Sequence, residues 1–295
     1  MGRMMNIQRI LGTILLVSML ASCSTMQLTN QGQSAYEEGD YKTALESLEE
    51  VIALREKNGK SAEAEIYYRA GMAAHQLGQN EKAAQHLSYA DYLGYRTPKL
   101  YTTLAGIYQT IDNVSKEITA LQSYREHYPQ GQQRTEITTR LFHAYVETEN
   151  WQWAADLWPE LEAKAQEDID LLTGYLKVSE ALKHSEAADK VARQILKEDA
   201  NNQLALLWMG KSYFFRAEEM YVSEMKAYKH NRTTKQYNRL LKKLDIVYPN
   251  FRKARDYFLK LYKQNPQPEY AGFLARIYTR LDQKTKAAYY KRRAQ

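Results

Sequence analysis

Apolar residues recur three and four positions apart along most of the chain, which is the spacing of one face of an α-helix. Within residues 64–97 they form two such runs, separated by Gly78 and a few polar residues. The runs contain, in order, Tyr67, Ala70, Gly71 and Ala74, and then Ala83, Leu87 and Ala90. This pattern predicts two amphipathic helices joined by a short turn, with small residues where the helices cross.

The same pair of helices is predicted again along the rest of the chain. The further pairs are predicted at about 25–58 and at 98–131, 135–168, 169–202 and 268–295. Their apolar positions include Leu48 and Val51, Leu104, Tyr108 and Leu121, Leu141, Phe142 and Tyr145, Leu172, Leu176, Ala188 and Ile195, and Leu274 and Tyr278. In the pair at 98–131, Glu117 replaces the small residue of the second helix, and we expect a looser or shifted crossing there.

A tandem array with this period resembles the tetratricopeptide repeat (TPR), a unit of 34 residues built from two helices. The resemblance covers nearly the whole chain after its first 22 residues. It implies an all-α fold, a right-handed α-solenoid of about six to seven helical hairpins. A solenoid of other, more degenerate helical hairpins is the alternative.

The sixth repeat is split by an insertion. It opens at residue 203 with Leu206 and Met209, but the positions of its second helix recur only at Ala254 and Phe258, so residues 217–249 are additional. Helical spacing on both sides of a polar stretch predicts an extended first helix, a turn and a second amphipathic helix. The apolar stripe of this hairpin is expected to be buried, either on the solenoid or on a partner.

Residues 1–22 have the pattern of an export signal. The apolar run 10–21 is too short to span a membrane, and Leu20–Cys23 directly after it resembles the lipobox of bacterial lipoproteins. The resemblance implies removal of 1–22, lipidation of Cys23, including palmitate, and a tether at 23–33. Ser24 after the cysteine is similar to an outer-membrane sorting signal, with the protein held on the periplasmic face. An ordinary secretory signal is the alternative.

Charge is distributed unevenly, although the chain of 295 residues carries 41 Lys+Arg and 35 Asp+Glu. Residues 23–202 hold a net charge of −10 and residues 203–295 a net charge of +14. We therefore divide the mature chain into acidic repeats at 34–202 and basic repeats at 203–295, the latter with the insertion. The basic segment is expected to meet an anionic partner, or else to be a solvated surface.

Candidate catalytic chemistry is missing from the sequence. The single Cys excludes a disulfide framework, and the six His are not spaced as metal ligands. There is no Gly-x-Ser-x-Gly elbow and no glycine-rich phosphate loop. We expect no enzymatic activity, no metal, no cofactor and no small-molecule substrate. Trp151, Trp153 and Trp158 are expected to fill space between helices or to form a sugar-binding platform, and Pro159 predicts a kink or a broken helix.

Recognition of other proteins is the function that this architecture favours. In such solenoids the first helix of each pair lines a concave groove. The groove residues predicted from the repeat positions are Tyr68, Met72, His75, Thr139, His143, Lys177, Lys211, Phe214, Phe215, Arg276 and Arg280. The C-terminal part of this set is basic and aromatic, which suits an acidic or extended segment of a protein.

The sequence therefore predicts a scaffold or adaptor. It resembles the repeat lipoproteins of outer-membrane assembly and secretion machines, which implies envelope proteins as partners and membrane attachment through a lipid. Binding of nucleic acid is not expected in an exported protein. A glycan-binding lipoprotein module is the alternative function, and it depends on the tryptophans and on the 24 tyrosines of the chain.

Overall fold

The computed structural model describes residues 24–295, so the predicted leader 1–22 and Cys23 lie outside the described residues. The described chain forms 14 helices and contains no strand. The helices are α1 (24–38), α2 (Tyr41–Lys57), α3 (Ala64–Gln76), α4 (Asn80–Tyr92), α5 (Pro98–Thr110), α6 (Val114–His127), α7 (Arg134–Glu147), α8 (Trp151–Leu157), α9 (Ile169–Ala181), α10 (Ser185–Glu198), α11 (Gln203–His230), α12 (Thr234–Gln264), α13 (Pro268–Arg280) and α14 (Lys284–Lys291).

The helices follow one another as pairs that coincide with the predicted repeats, and the chain is an α-solenoid as expected. It consists of two compact units, an N-terminal unit that ends at Ala144 and a C-terminal unit of Tyr145–Gln295. The change of net charge at residue 203 is not a structural boundary. Ala205 and Met209 of α11 share one apolar cluster with Ala188 and Ala192 of α10.

In the N-terminal unit, glycine allows the helices of a pair to approach closely. A Cβ atom on Gly71 of α3 would lie 2.7 Å from Cγ of Leu87 in α4, and one on Gly32 of α1 would lie 2.7 Å from Cγ of Leu48 in α2. The close contact at Gly32 also corrects the predicted tether, because residues 24–33 belong to α1 and Gly32 is buried against α2.

Glu117 of α6 is buried, with 1% of its surface exposed. Its carboxylate accepts two hydrogen bonds from the guanidinium of Arg140 in α7, one of them at 2.7 Å from Nη2. A buried carboxylate needs such a partner, since burial without one is strongly unfavourable. The unusual residue of this repeat is thus accommodated by a charge from the next one.

In the C-terminal unit, α8 is only seven residues long. It ends at Leu157 and a short 3-10 helix, Trp158–Glu160, follows it. Pro159 lies within that turn, where it cannot donate a backbone hydrogen bond to continue the α-helix. The broken helix predicted at this proline is confirmed.

The insertion lengthens both helices of the sixth pair instead of forming a separate element. Helix α11 has 28 residues and α12 has 31, and the polar residues 231–233 connect them. The predicted order of extended helix, turn and second amphipathic helix is confirmed. At the base of this hairpin, Phe214 and Ala217 of α11 pack with Val247, Phe251 and Phe258 of α12 in one apolar cluster.

Candidate functional site

The predicted groove residues of the N-terminal unit differ in accessibility. Tyr68 is half-buried and stacks on Tyr95 with 4.6 Å between the ring centroids. Burial, with the neighbouring Tyr36 and Tyr95, raises the pKa of the Tyr68 phenol. Met72 is buried, with 4% of its surface exposed, so it supports the helix and cannot face a partner.

Four other predicted residues lie apart from this stacked pair. His75 is half-buried, and its Nδ1 is buried without a hydrogen-bond partner in the described chain. Thr139 and His143 are half-buried on α7. In the C-terminal unit, Lys177 of α9 is exposed.

The remaining predicted residues converge on two neighbouring helices of the C-terminal unit, α11 and α13. Lys211 Nζ lies 3.0 Å from Glu269 Oε1. Further along the same two helices, Arg280 donates two hydrogen bonds to Glu218, one of them at 2.8 Å from Nε. The bond to Glu218 raises the pKa of Arg280. Two of the predicted cations are therefore already paired with carboxylates, which reduces the positive charge of this surface.

An aromatic cluster lies between these two ion pairs. Phe273 of α13 contacts Phe214 and Phe215 of α11, with ring centroids 5.2 Å and 5.9 Å apart. It also stacks on Phe258 at 4.4 Å. Phe214 is fully buried, which corrects its assignment to the groove, whereas Phe215 is 52% exposed. Two adjacent residues of a helix point about 100° apart, so only one of them can face solvent here.

Arg276 completes the surface and is exposed. Its guanidinium lies 4.5 Å from the centroid of the Phe214 ring and 5.9 Å from that of Phe273. Arg276 has no acidic partner among the described residues, in contrast to Lys211 and Arg280. Stacking on the rings holds the guanidinium in place while its hydrogen-bond donors stay available. The α11–α13 surface, defined as Lys211, Phe215, Phe273, Arg276 and Arg280, thus combines one exposed ring with one available cation.

A cavity of about 590 Å³ adjoins this surface and is lined by residues of α13 and α14. Gly272, Ala275 and Ala287 are among its apolar lining residues. Arg276 also lines it, together with Lys284 and Lys291.

The tryptophans do not form a shared platform. Trp158 stacks on Tyr175, with 4.1 Å between ring centroids and nearly parallel planes, so one face of its indole is covered. Trp153 is 54% exposed and contacts Tyr145 at 5.5 Å. Trp151 is half-buried. These contacts are typical of side chains that fill space between helices, and they give no specific support to sugar binding.

No group of three or more His, Cys, Asp or Glu side chains in the described chain could hold a metal ion. Helices long and apolar enough to cross a membrane were not found within residues 24–295.

Asp189 is a buried polar centre that sequence reasoning missed. Its carboxylate accepts hydrogen bonds from Trp208 Nε1, Ser212 Oγ and Arg216 Nη2, each at 2.9 Å. Burial opposes ionisation, but these hydrogen bonds, with that of Arg216 the strongest, outweigh it and lower the pKa of Asp189. The spacing of the three donors, one helical turn apart on α11, is the signal that could have indicated a common acceptor.

Comparison with known families gives a direct match for the first repeats. The tetratricopeptide-repeat model matches residues 28–58 and 64–88, which are α1–α2 and most of α3–α4. A search among curated protein sequences found no match.

Three solved structures are among those to which this chain is similar. A Bacteroides ovatus protein for which protein binding has been suggested has a TM-score of 0.50 and 22% identity, over 75% of this chain and 98% of that one. The C-terminal part of a TPR protein from Cytophaga hutchinsonii has a TM-score of 0.48 and 13% identity, over 90% and 93%. A TPR protein from Parabacteroides merdae has a TM-score of 0.40 and 13% identity, over 92% and 92%. The chain thus contains tetratricopeptide repeats within an α-solenoid.

Proposed function

We propose that the protein is a non-enzymatic scaffold, anchored by a lipid on Cys23 to the periplasmic face of the outer membrane, that holds other envelope proteins. Tetratricopeptide repeats serve as interaction surfaces in many proteins, which supports the scaffold. The anchor and the location are supported by the resemblance of Leu20–Cys23 to a lipobox.

The observation that carries the proposal is that Phe215 and Arg276 are both exposed on the α11–α13 surface. The ring of Phe215 is 52% exposed, and the exposed guanidinium of Arg276 stacks on Phe214 and Phe273 without an acidic partner among the described residues. Both side chains are held by contacts with Phe273, so little conformational entropy is lost when a ligand binds. Aromatic residues and arginines are also the residues that dominate binding energy in protein interfaces.

The partner segment follows from this chemistry. An extended segment that places an apolar side chain on Phe215 and a carboxylate on Arg276 satisfies both groups. Lys211 and Arg280 of this surface form ion pairs with Glu269 and Glu218, so the surface presents carboxylates as well as cations. A partner with one well-placed acidic group therefore fits better than a highly acidic one.

Photo-crosslinking in cells tests this proposal. A photoreactive phenylalanine analogue in place of Phe215 is expected to capture a defined set of envelope proteins. The same analogue in place of Tyr92, which is 79% exposed in the N-terminal unit, serves as the control position. Arg276→Glu should greatly reduce capture at position 215, whereas Lys263→Glu, at an exposed lysine on α12, should not.

Two results would overturn the proposed surface. One is capture of the same proteins from positions 215 and 92. The other is an equal loss of capture in the Arg276→Glu and Lys263→Glu variants, which would indicate that only net charge matters.

A further inference from the structure

The hairpin of α11 and α12 extends beyond α13. Helix α13 ends at Arg280, whose guanidinium lies 4.4 Å from the Tyr221 ring at the base of the hairpin. Residues 222–246 are called the hairpin tip. In this tip, α11 and α12 are held together mainly by contacts between the two helices. Arg239 donates two hydrogen bonds of 3.0 Å to Glu224, and the rings of Tyr228 and Tyr237 lie 5.8 Å apart.

The tip carries an excess of positive charge that the tip itself does not neutralise. One of its two acidic residues, Glu224, is buried and is used by Arg239. Its other cations have no ion-pair partner in the described part of the chain, and only Asp245 opposes them in the tip. They are Lys226, Lys229, Arg232, Lys235, Lys242 and Lys243.

Large hydrophobic side chains are exposed among these cations. Val222, Tyr237, Leu241 and Ile246 are 44–50% exposed, and they are four of the twelve large hydrophobic residues exposed in the described chain. Tyr237 and Leu241 lie one turn apart on α12 and form an apolar stripe. Beside it, Lys235, Arg239 and Lys242 line a shallow concavity of about 510 Å³.

We infer that the hairpin tip binds the surface of an anionic phospholipid bilayer. Lysines around a protruding tip can meet many headgroups at once, and Val222, Leu241 and Ile246 can meet the apolar part of a bilayer, which a segment made only of acidic residues does not offer. Side chains of this size can enter the boundary between headgroups and acyl chains, and tyrosine and lysine are suited to that boundary. The inference depends neither on the lipid anchor nor on the α11–α13 surface.

A fluorophore on the tip tests the contact directly. The full chain with Cys23→Ala has no thiol, so Leu241→Cys allows a single environment-sensitive label. We expect a blue shift of its emission on vesicles of phosphatidylglycerol and phosphatidylcholine, and little shift on phosphatidylcholine alone. The shift should fall at high salt, because screening weakens attraction to an anionic surface. A label at Tyr92→Cys controls for effects of the rest of the chain.

A matched pair of charge variants tests the role of the tip. Each lysine near an anionic surface contributes about fivefold to binding, so removal of four is expected to raise the vesicle concentration for half the shift by about 600-fold. The tip variant changes Lys229, Lys235, Lys242 and Lys243 to Gln. The control variant removes the same charge elsewhere on the unit by changing Lys190, Lys197, Lys260 and Lys263 to Gln, and it should bind as the parent does.

Three outcomes would overturn the inference. The label at 241 could stay in water while the protein sediments with anionic vesicles. The two charge variants could weaken binding equally. The label could respond to soluble polyglutamate but not to vesicles, which would assign the tip to an acidic protein segment.

Discussion

In three of the repeats, a glycine of the first helix packs directly against a large side chain of the second helix. In the first two repeats the partner lies sixteen positions after the glycine, as in Gly71 and Leu87. In the sixth repeat, a Cβ atom on Gly210 would lie 3.1 Å from Cε2 of Phe258. Phe258 follows Gly210 by 48 positions, which is 32 more than in the first two repeats. The insertion therefore leaves the packing register of the pair unchanged.

A larger side chain at Gly71 should destabilise the protein. Gly71→Leu overpacks the contact with Leu87, which has both side-chain and backbone atoms within about 3 Å of the new Cβ. We expect a loss of about 1–3 kcal/mol in the free energy of unfolding, measured by urea denaturation. Gly106→Ala is the control, because a Cβ there meets nothing within 4 Å and alanine favours the helix. Equal stability of the Gly71 variant and the parent would contradict this packing.

Charge reversal on the α11–α13 surface should separate binding from folding. Lys211→Glu and Arg280→Glu would each place two carboxylates together, opposite Glu269 and Glu218, and we expect both to lower the melting temperature. Arg276→Glu breaks no ion pair of the described chain and should leave the melting temperature nearly unchanged. Of the three reversals, only Arg276→Glu is expected to preserve the stability of the fold. A large loss of stability in Arg276→Glu would contradict this assignment.

At the scale of elements, the repeat boundaries could be predicted because each helix has one apolar face with a regular spacing. The broken α8 could be predicted from Pro159, because proline lacks the backbone N–H that an α-helix needs. Ion pairs between helices could not be predicted from the sequence. Glu117 and Arg140 lie 23 positions apart, and either could equally have been a solvated surface charge. The sequence also could not show which of Phe214 and Phe215 is exposed, because this depends on how α11 is rotated about its axis against the other helices.

The contact between α10 and α11 should depend on pH through Asp189. Its pKa is lowered from the ordinary value of 3.8, so its ionised form stabilises the fold above that pH, and this contribution is lost as pH falls through the lowered pKa. Asp189→Asn should cost about 1.5–3 kcal/mol at neutral pH, since hydrogen bonds to a charged group are lost.

Urea denaturation at several pH values measures this effect. The difference in stability between parent and Asp189→Asn should be constant above about pH 5 and should close at lower pH. Asp245→Asn, at an exposed carboxylate of the hairpin tip, is the control. If the difference in stability between parent and Asp189→Asn does not change with pH, Asp189 stabilises the fold through its packing and not through its charge.

At the scale of the whole molecule, two features bear on attachment to a membrane. One is Cys23, which precedes the described residues, and the other is the positive charge of residues 203–295, part of which lies at the hairpin tip. Some cations between the helices of that segment are neutralised, as in Arg280–Glu218, whereas six of the seven cations of the tip have no ion-pair partner among the described residues. A lipid with a polybasic patch is a combination that gives stable attachment, and each alone is weaker.

Removal of the lipid site should therefore release the protein only in part at low salt. With Cys23→Ala, we expect no incorporation of labelled palmitate, and the protein should leave the membrane fraction when salt reaches about 1 M, where the Debye length is about 3 Å. The parent should remain bound at that salt, because acyl chains hold it independently of charge. Cys23→Ala combined with neutralised Lys229, Lys235, Lys242 and Lys243 should be released at low salt as well. Fractionation followed by immunoblotting measures both steps, and unchanged processing and salt-resistant binding of Cys23→Ala would contradict lipidation at this residue.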